Sequence, residues 1–142
     1  MDDLSAVRVL EVDDSAPWRR FVTAQLLERS VQVVGTAVDG LEAVEKARAL
    51  QPDIIILDIW MPKQNGLAAA REIGALVPAS RILIVSNERD PAIVRAAFAA
   101  GARGYVLKLR AGIELLQAIE AIVRGELFIG RGLTLCADDD PR

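Results

Sequence analysis

Five short apolar runs punctuate the chain, and between them the apolar positions fall into a longer period. The central run is Ile54-Ile55-Ile56-Leu57, rich in β-branched side chains and without polar alternation. Such a run suits a strand covered on both faces, as in a parallel sheet. Residues 7–12, 31–38, 81–85 and 104–107 read as four further strands. In the intervals, apolar residues recur every three or four positions, the helix period. The predicted inward stripes are Trp18, Phe21, Val22 and Leu26; Leu41, Val44 and Ala47; Leu67, Ala70, Ile73 and Leu76; the Ala-rich stretch 91–100; and Leu116, Ile119 and Val123.

The punctuation agrees with these assignments. Ser15 with Pro17, Asp39, and Asp90 with Pro91 stand where helix N-caps and first-turn prolines belong. Gly101 and Gly125 follow two helices as C-terminal stops. Strands alternating with helices imply right-handed βαβ units. The expected fold is therefore α/β: a doubly wound, five-stranded parallel sheet with five helices on its two faces. One position sits badly: Glu11 places a charge inside the first strand, which costs free energy unless it is paired.

Composition narrows the function classes. The chain has 142 residues, 52% apolar and 26% charged, which suits one domain with a sizeable core. One domain is expected over residues 1–128, with a mobile tail over 129–142. The net charge is −3 and no basic stripe appears, so this chain is not expected to contact nucleic acid directly. No apolar run reaches the ~18–20 residues that span a bilayer, and the acidic N-terminus lacks a signal peptide's apolar core. Together with the single Cys136, this points to a cytoplasmic protein away from membranes. Histidine is absent, which removes histidine metal sites, triads and general bases, and any phosphohistidine of the chain's own.

The chemistry gathers at the strand ends. Asp13 and Asp14 end the first strand, Asp58 the third, Ser86 the fourth and Lys108 the fifth. In an open α/β sheet, ligands bind outside those carboxyl ends. Three neighbouring carboxylates repel unless a cation joins them. With hard oxygen donors and no histidine, that cation is expected to be Mg²⁺. A lysine point charge and a hydroxyl beside the same cleft suit a phosphoryl group, and an aspartate can accept one. Each residue alone has a plainer reading: Lys108 as a solvated lysine, Ser86 as a strand-end cap, Asp58 as a solvated turn. Their joint position favours the phosphoryl chemistry.

These pieces, in this order, resemble the receiver domain of a two-component response regulator. The resemblance rests on Val12-Asp13-Asp14, Leu57-Asp58 with Met61-Pro62 and Gly66, Ile84-Val85-Ser86, and Gly104-Tyr105-Val106-Leu107-Lys108. It covers about residues 7–124, and residues 101–108 with 114–119 are similar to the NarL/LuxR-type subfamily. It implies strand order 2-1-3-4-5 and a phosphorylation-controlled switch rather than an enzyme acting on a separate substrate. Asp58 would be the phosphoacceptor. Asp14 and Asp58 would bind Mg²⁺ with the backbone carbonyl of Trp60, and Asp13 would act through water. Lys108 would pair with Asp58 and then with the phosphoryl oxygen. Ser86 and Tyr105 would be the switch pair. The implied donor is a histidine kinase or phosphotransfer protein, and a homodimer is a possible output.

Several features depart from the pattern. Serine stands at position 86 where threonine is commoner, Leu109 follows Lys108, and the bulky Trp60 stands beside the acceptor. Trp60 is hypothesised to slow water attack on the acyl phosphate. Nothing after Gly130 resembles a helix-turn-helix domain, so a stand-alone receiver is expected. The alternatives are the N-terminal part of a DNA-binding regulator or a degenerate docking module. A haloacid-dehalogenase-like phosphatase is disfavoured because Asp58-Ile59-Trp60 lacks a second acid. A flavin or nucleotide binder is disfavoured because Asp13-Asp14-Ser15-Ala16-Pro17-Trp18 lacks glycine. The segment 91–102 and the last helix are the candidate output surfaces.

Overall fold

The isoleucine-rich run forms a strand near the middle of the sheet, and every other element is placed relative to it. The structure, a computed structural model, describes residues 3–135. In chain order the elements are β1 (Arg8–Val12), α1 (Ala16–Leu27), β2 (Gln32–Ala37), α2 (Gly40–Leu50), β3 (Ile54–Leu57) and α3 (Gly66–Leu76). They continue with β4 (Arg81–Ser86), α4 (Pro91–Ala99), β5 (Ala102–Leu107), a 3₁₀ turn (Lys108–Arg110), α5 (Ala111–Val123) and β6 (Phe128–Ile129). Each N-cap suggested by the sequence is made: Ser15 accepts from the Trp18 amide, Asp39 from Glu42 and Asp90 from Ala92. Glu42 Oε1 in turn accepts from the amide of Val38, the residue before the cap.

All strand pairs are parallel, in the order β2-β1-β3-β4-β5-β6. The sheet has six strands rather than the expected five. β6 is only two residues long, too short to carry a readable alternation. It pairs with β5 at Gly104, where a Cβ would crowd the core side chains of Leu83 at 2.9 Å and Ile122 at 3.0 Å. Ile129, where the tail was expected to begin, pairs with Tyr105. Leu133 and Leu135 beyond it pack against the core. Cys136 and the acidic run Asp138-Asp139-Asp140 lie outside the described residues, as do Met1 and Asp2.

Because side chains alternate along a strand, the sheet divides the core into two layers. Leu10, Val12, Ile55, Leu57 and Ile84 face α2, α3 and α4. Val9, Ile54, Ile56, Leu83 and Val85 face α1 and α5. Four helix stripes differ from expectation: Phe21 of α1 and Leu76 of α3 are exposed, and α2 and α5 depart as well. α2 buries Ala43, Val44 and Ala47 and leaves Leu41 half exposed; α5 buries Leu115, Ala118, Ile119 and Ile122 and leaves Val123 outside. Adjacent apolar pairs such as Leu115-Leu116 and Ile122-Val123 make two helix phases equally apolar, so only packing chooses between them.

Candidate functional site

Parallel pairing puts every strand's carboxyl end on one edge. Register then fixes which ends are neighbours: Val12 pairs with Leu57, Leu57 with Ile84, and Ser86 with Leu107. The residues that follow these partners are Asp13, Asp58 and Lys108. The Lys108 ammonium lies 2.8 Å from Asp13 Oδ2 and 3.0 Å from Asp58 Oδ2. Each carboxylate is oriented by a backbone amide on its other oxygen: Ser15 N–H donates to Asp13 Oδ1 at 2.8 Å, and Ile59 N–H to Asp58 Oδ1 at 2.7 Å. Both aspartates are buried, and Lys108 nearly so.

The electrostatics follow from burial and pairing. Burial raises the Asp13 pKa; Lys108 and the Ser15 amide oppose that rise, and the charge of Asp58 adds to it. Burial alone would lower the Lys108 pKa, but the two carboxylates outweigh it and hold the ammonium above its ordinary value. The result is a fixed positive charge facing two inward acids. Asp14, by contrast, is exposed. Among the described residues no group of three or more acids, histidines or cysteines is already arranged to hold a metal. The hard oxygen donors suit a Mg²⁺ that keeps several waters, rather than one in a closed cage.

The other predicted residues surround this centre. Ser86 is fully buried, and its Oγ accepts from the Glu88 amide at 3.2 Å. Tyr105 is also fully buried and donates its hydroxyl to the Glu88 carbonyl at 2.6 Å; burial raises its pKa. Trp60 is 54% exposed and donates its ring N–H to Glu88 Oε1 at 3.0 Å. Glu88 thus joins Ser86, Tyr105 and Trp60, a role the sequence did not announce. Gly66 is set by close approach: a Cβ there would stand 2.1 Å from the Asp58 carbonyl oxygen. Its amide donates to Ile59 O at 2.7 Å, bringing α3 down onto the Asp58 loop.

The misplaced charge of β1 finds a physical answer. Glu11 is fully buried and meets Thr23, whose hydroxyl donates to Oε2 at 3.3 Å; Oε1 has no partner. Burial pushes the Glu11 pKa up to about 8. α4 buries Val94 and Ala97, lays Ile93 and Phe98 against the same layer, and leaves Ala92, Arg95 and Ala99 exposed.

A largely buried lysine bridging two strand-end aspartates, on the carboxyl edge of a doubly wound sheet, defines a receiver-type site. Residues 9–120 match the response regulator receiver domain family, and the chain belongs to that family. It is 36% identical over 115 residues to the chemotaxis protein CheY of Thermotoga maritima, covering 81% of this chain and 96% of that protein. It is 31% identical over 129 residues to the transcriptional regulatory protein LnrK of Bacillus subtilis, covering 90% of this chain but only 59% of LnrK. It is also 49% identical over 83 residues to a protein-glutamate methylesterase/protein-glutamine glutaminase of Geobacter sulfurreducens, covering 57% of this chain and 22% of that enzyme. Among solved structures it resembles a LuxR-family two-component response regulator from Aurantimonas, with 39% identity and a TM-score of 0.80, covering 85% of this chain and 87% of that one. The receiver is the part shared with regulators and enzymes alike. No helix among the described residues is long and apolar enough to cross a membrane.

Proposed function

We propose that this chain is a phosphorylation-controlled signalling switch in which Asp58 accepts the phosphoryl group. The observation that carries this reading is Lys108 held between Asp13 and Asp58 at the carboxyl edge. Asp58 Oδ2 attacks the phosphorus of a partner's phosphohistidine, the P–N bond breaks, and the imidazole leaves as the neutral ring, its other nitrogen keeping the proton it already carried. The donor belongs to a histidine kinase or phosphotransfer protein, since this chain has no histidine. Asp14, Asp58 and the Trp60 carbonyl would hold Mg²⁺, with Asp13 acting through water. The metal supplies charge neutralisation for the transferring phosphoryl oxygens.

Lys108 gives up its contact with Asp58 Oδ2 and bonds a phosphoryl oxygen while keeping Asp13. Ser86 leaves the Glu88 amide for another phosphoryl oxygen, freeing Glu88 and the loop into α4 to rearrange with Tyr105. A new dianionic group biases a two-state loop in this way. The chain acts on no separate substrate, works in the cytoplasm, and delivers its output through a protein surface, with a homodimer as one form. The test is intact-mass measurement after incubation with acetyl phosphate, with and without Mg²⁺, for wild type and Asp58→Ala, followed by size-exclusion of the same samples. A Mg²⁺-dependent gain of one phosphoryl group, lost in the variant, is expected. No gain under any condition refutes the switch and leaves a docking module.

A further inference from the structure

The first turn of α1 grips both partners of the site at once. Ser15 N–H donates to Asp13 Oδ1 at 2.8 Å, and the Arg19 guanidinium donates to the Asp13 carbonyl at 2.6 Å. Between them, Trp18 presents its ring to Lys108, whose ammonium stands 5.1 Å from the ring centroid. That lies within the ~6 Å over which an aromatic face attracts a cation. The ring is itself held in place. Phe21 stacks on it at 5.0 Å with an interplanar angle of 33°. The Trp18 amide is capped by Ser15 Oγ at 3.3 Å, and the ring packs against the layer under α1 and α5.

We propose that Trp18 is a positioning residue for phosphoryl transfer, its indole face holding the Lys108 ammonium while that ammonium moves from Asp58 to the phosphoryl oxygen. The proposal rests on Asp58 being the acceptor. The ammonium has three donors, two of which face carboxylates. An acceptor oxygen at the third side would compete with the phosphoryl group for the lysine. An aromatic face attracts the charge without offering such a competitor. Its attraction also varies gently with position, so Lys108 can shift toward a new oxygen without losing its wall. A leucine of similar bulk fills the space but has no such face.

The test uses the full chain. The initial rate of phosphorylation by acetyl phosphate with Mg²⁺ is compared for wild type, Trp18→Leu and Trp18→Phe. Trp18→Leu is expected to slow about two- to five-fold, with Trp18→Phe in between. In a Lys108→Met background the Trp18→Leu change should have no further effect, since the pairwise contribution is already gone. A spectroscopic arm is independent of turnover. In a Trp60→Phe background Trp18 is the only tryptophan, and Lys108→Met should shift its emission. Wild-type rates in both Trp18 variants, equal slowing with and without Lys108, or emission unmoved by Lys108→Met would each overturn the proposal. A wild-type chain that takes up no phosphoryl group instead refutes the reading of Asp58, and the role of Trp18 in transfer with it.

Discussion

Replacing Glu11 by leucine should convert a pH-sensitive fold into a less sensitive one. Glu11 sits inside β1, paired with Thr36 of β2 and Ile56 of β3, with no exposed surface. Burial raises its pKa from 4.5 to about 8; Thr23 and the field of Arg19 oppose the rise only in part, and Asp13 adds to it. The folded chain therefore holds a proton that the unfolded chain releases above pH 4.5. Stability contributed by that proton is complete below the unfolded value and is lost as pH rises toward the folded one. Over the whole window this amounts to roughly 5 kcal/mol, and between pH 6 and 7.5 to about 2 kcal/mol. Against a total of ~5–15 kcal/mol for a domain, that is a large fraction.

The assay is urea denaturation followed by circular dichroism, from pH 5.5 to 8.5, for wild type and Glu11→Leu. Asp13 is also raised by burial and contributes with the same sign, so the informative quantity is the difference between the two proteins. That difference should widen in favour of Glu11→Leu as pH rises. Two stability curves that stay parallel across the range would refute the argument: Glu11 would then be ionised in the folded chain through some compensation absent from its surroundings.

Two further outcomes are expected. Gly66→Ala places a methyl 2.1 Å from the Asp58 carbonyl oxygen; it should lower stability by about 1–3 kcal/mol and slow phosphoryl uptake in step, read by thermal unfolding and intact mass. Trp60→Ala removes an exposed ring tethered to Glu88; the aspartyl phosphate should then hydrolyse faster, and a lifetime unchanged or longer would sink the idea that Trp60 shields it.

The frame of this molecule was readable because the physics of strands leaves a local trace. Ile54 to Leu57 had to be covered on both sides, and once the strands are parallel, Asp13, Asp58 and Lys108 must share an edge. What escaped notice depends on distance in the chain. Trp18 read as packing because its contact with Lys108 joins residues far apart in sequence. Glu88 drew no sequence reading because its bonds go to Trp60, Ser86 and Tyr105 on three separate strands or loops. The exposure of Asp14 beside a buried Asp13 follows from where β1 ends, a matter of one residue. β6 was missed for its brevity.

That brief strand bears on how the chain meets other chains. An uncovered β5 would present unpaired amides and carbonyls along Tyr105, the shape that recruits a foreign strand. Ile129 lies opposite Tyr105, and the Gly130 amide takes the Tyr105 carbonyl at 2.8 Å. Glu114 in turn accepts the Arg131 amide at 3.0 Å, fastening the segment to α5. An intruding strand cannot reach Tyr105 without first displacing this native one. The backbone of Tyr105 is thereby kept from edge-to-edge aggregation.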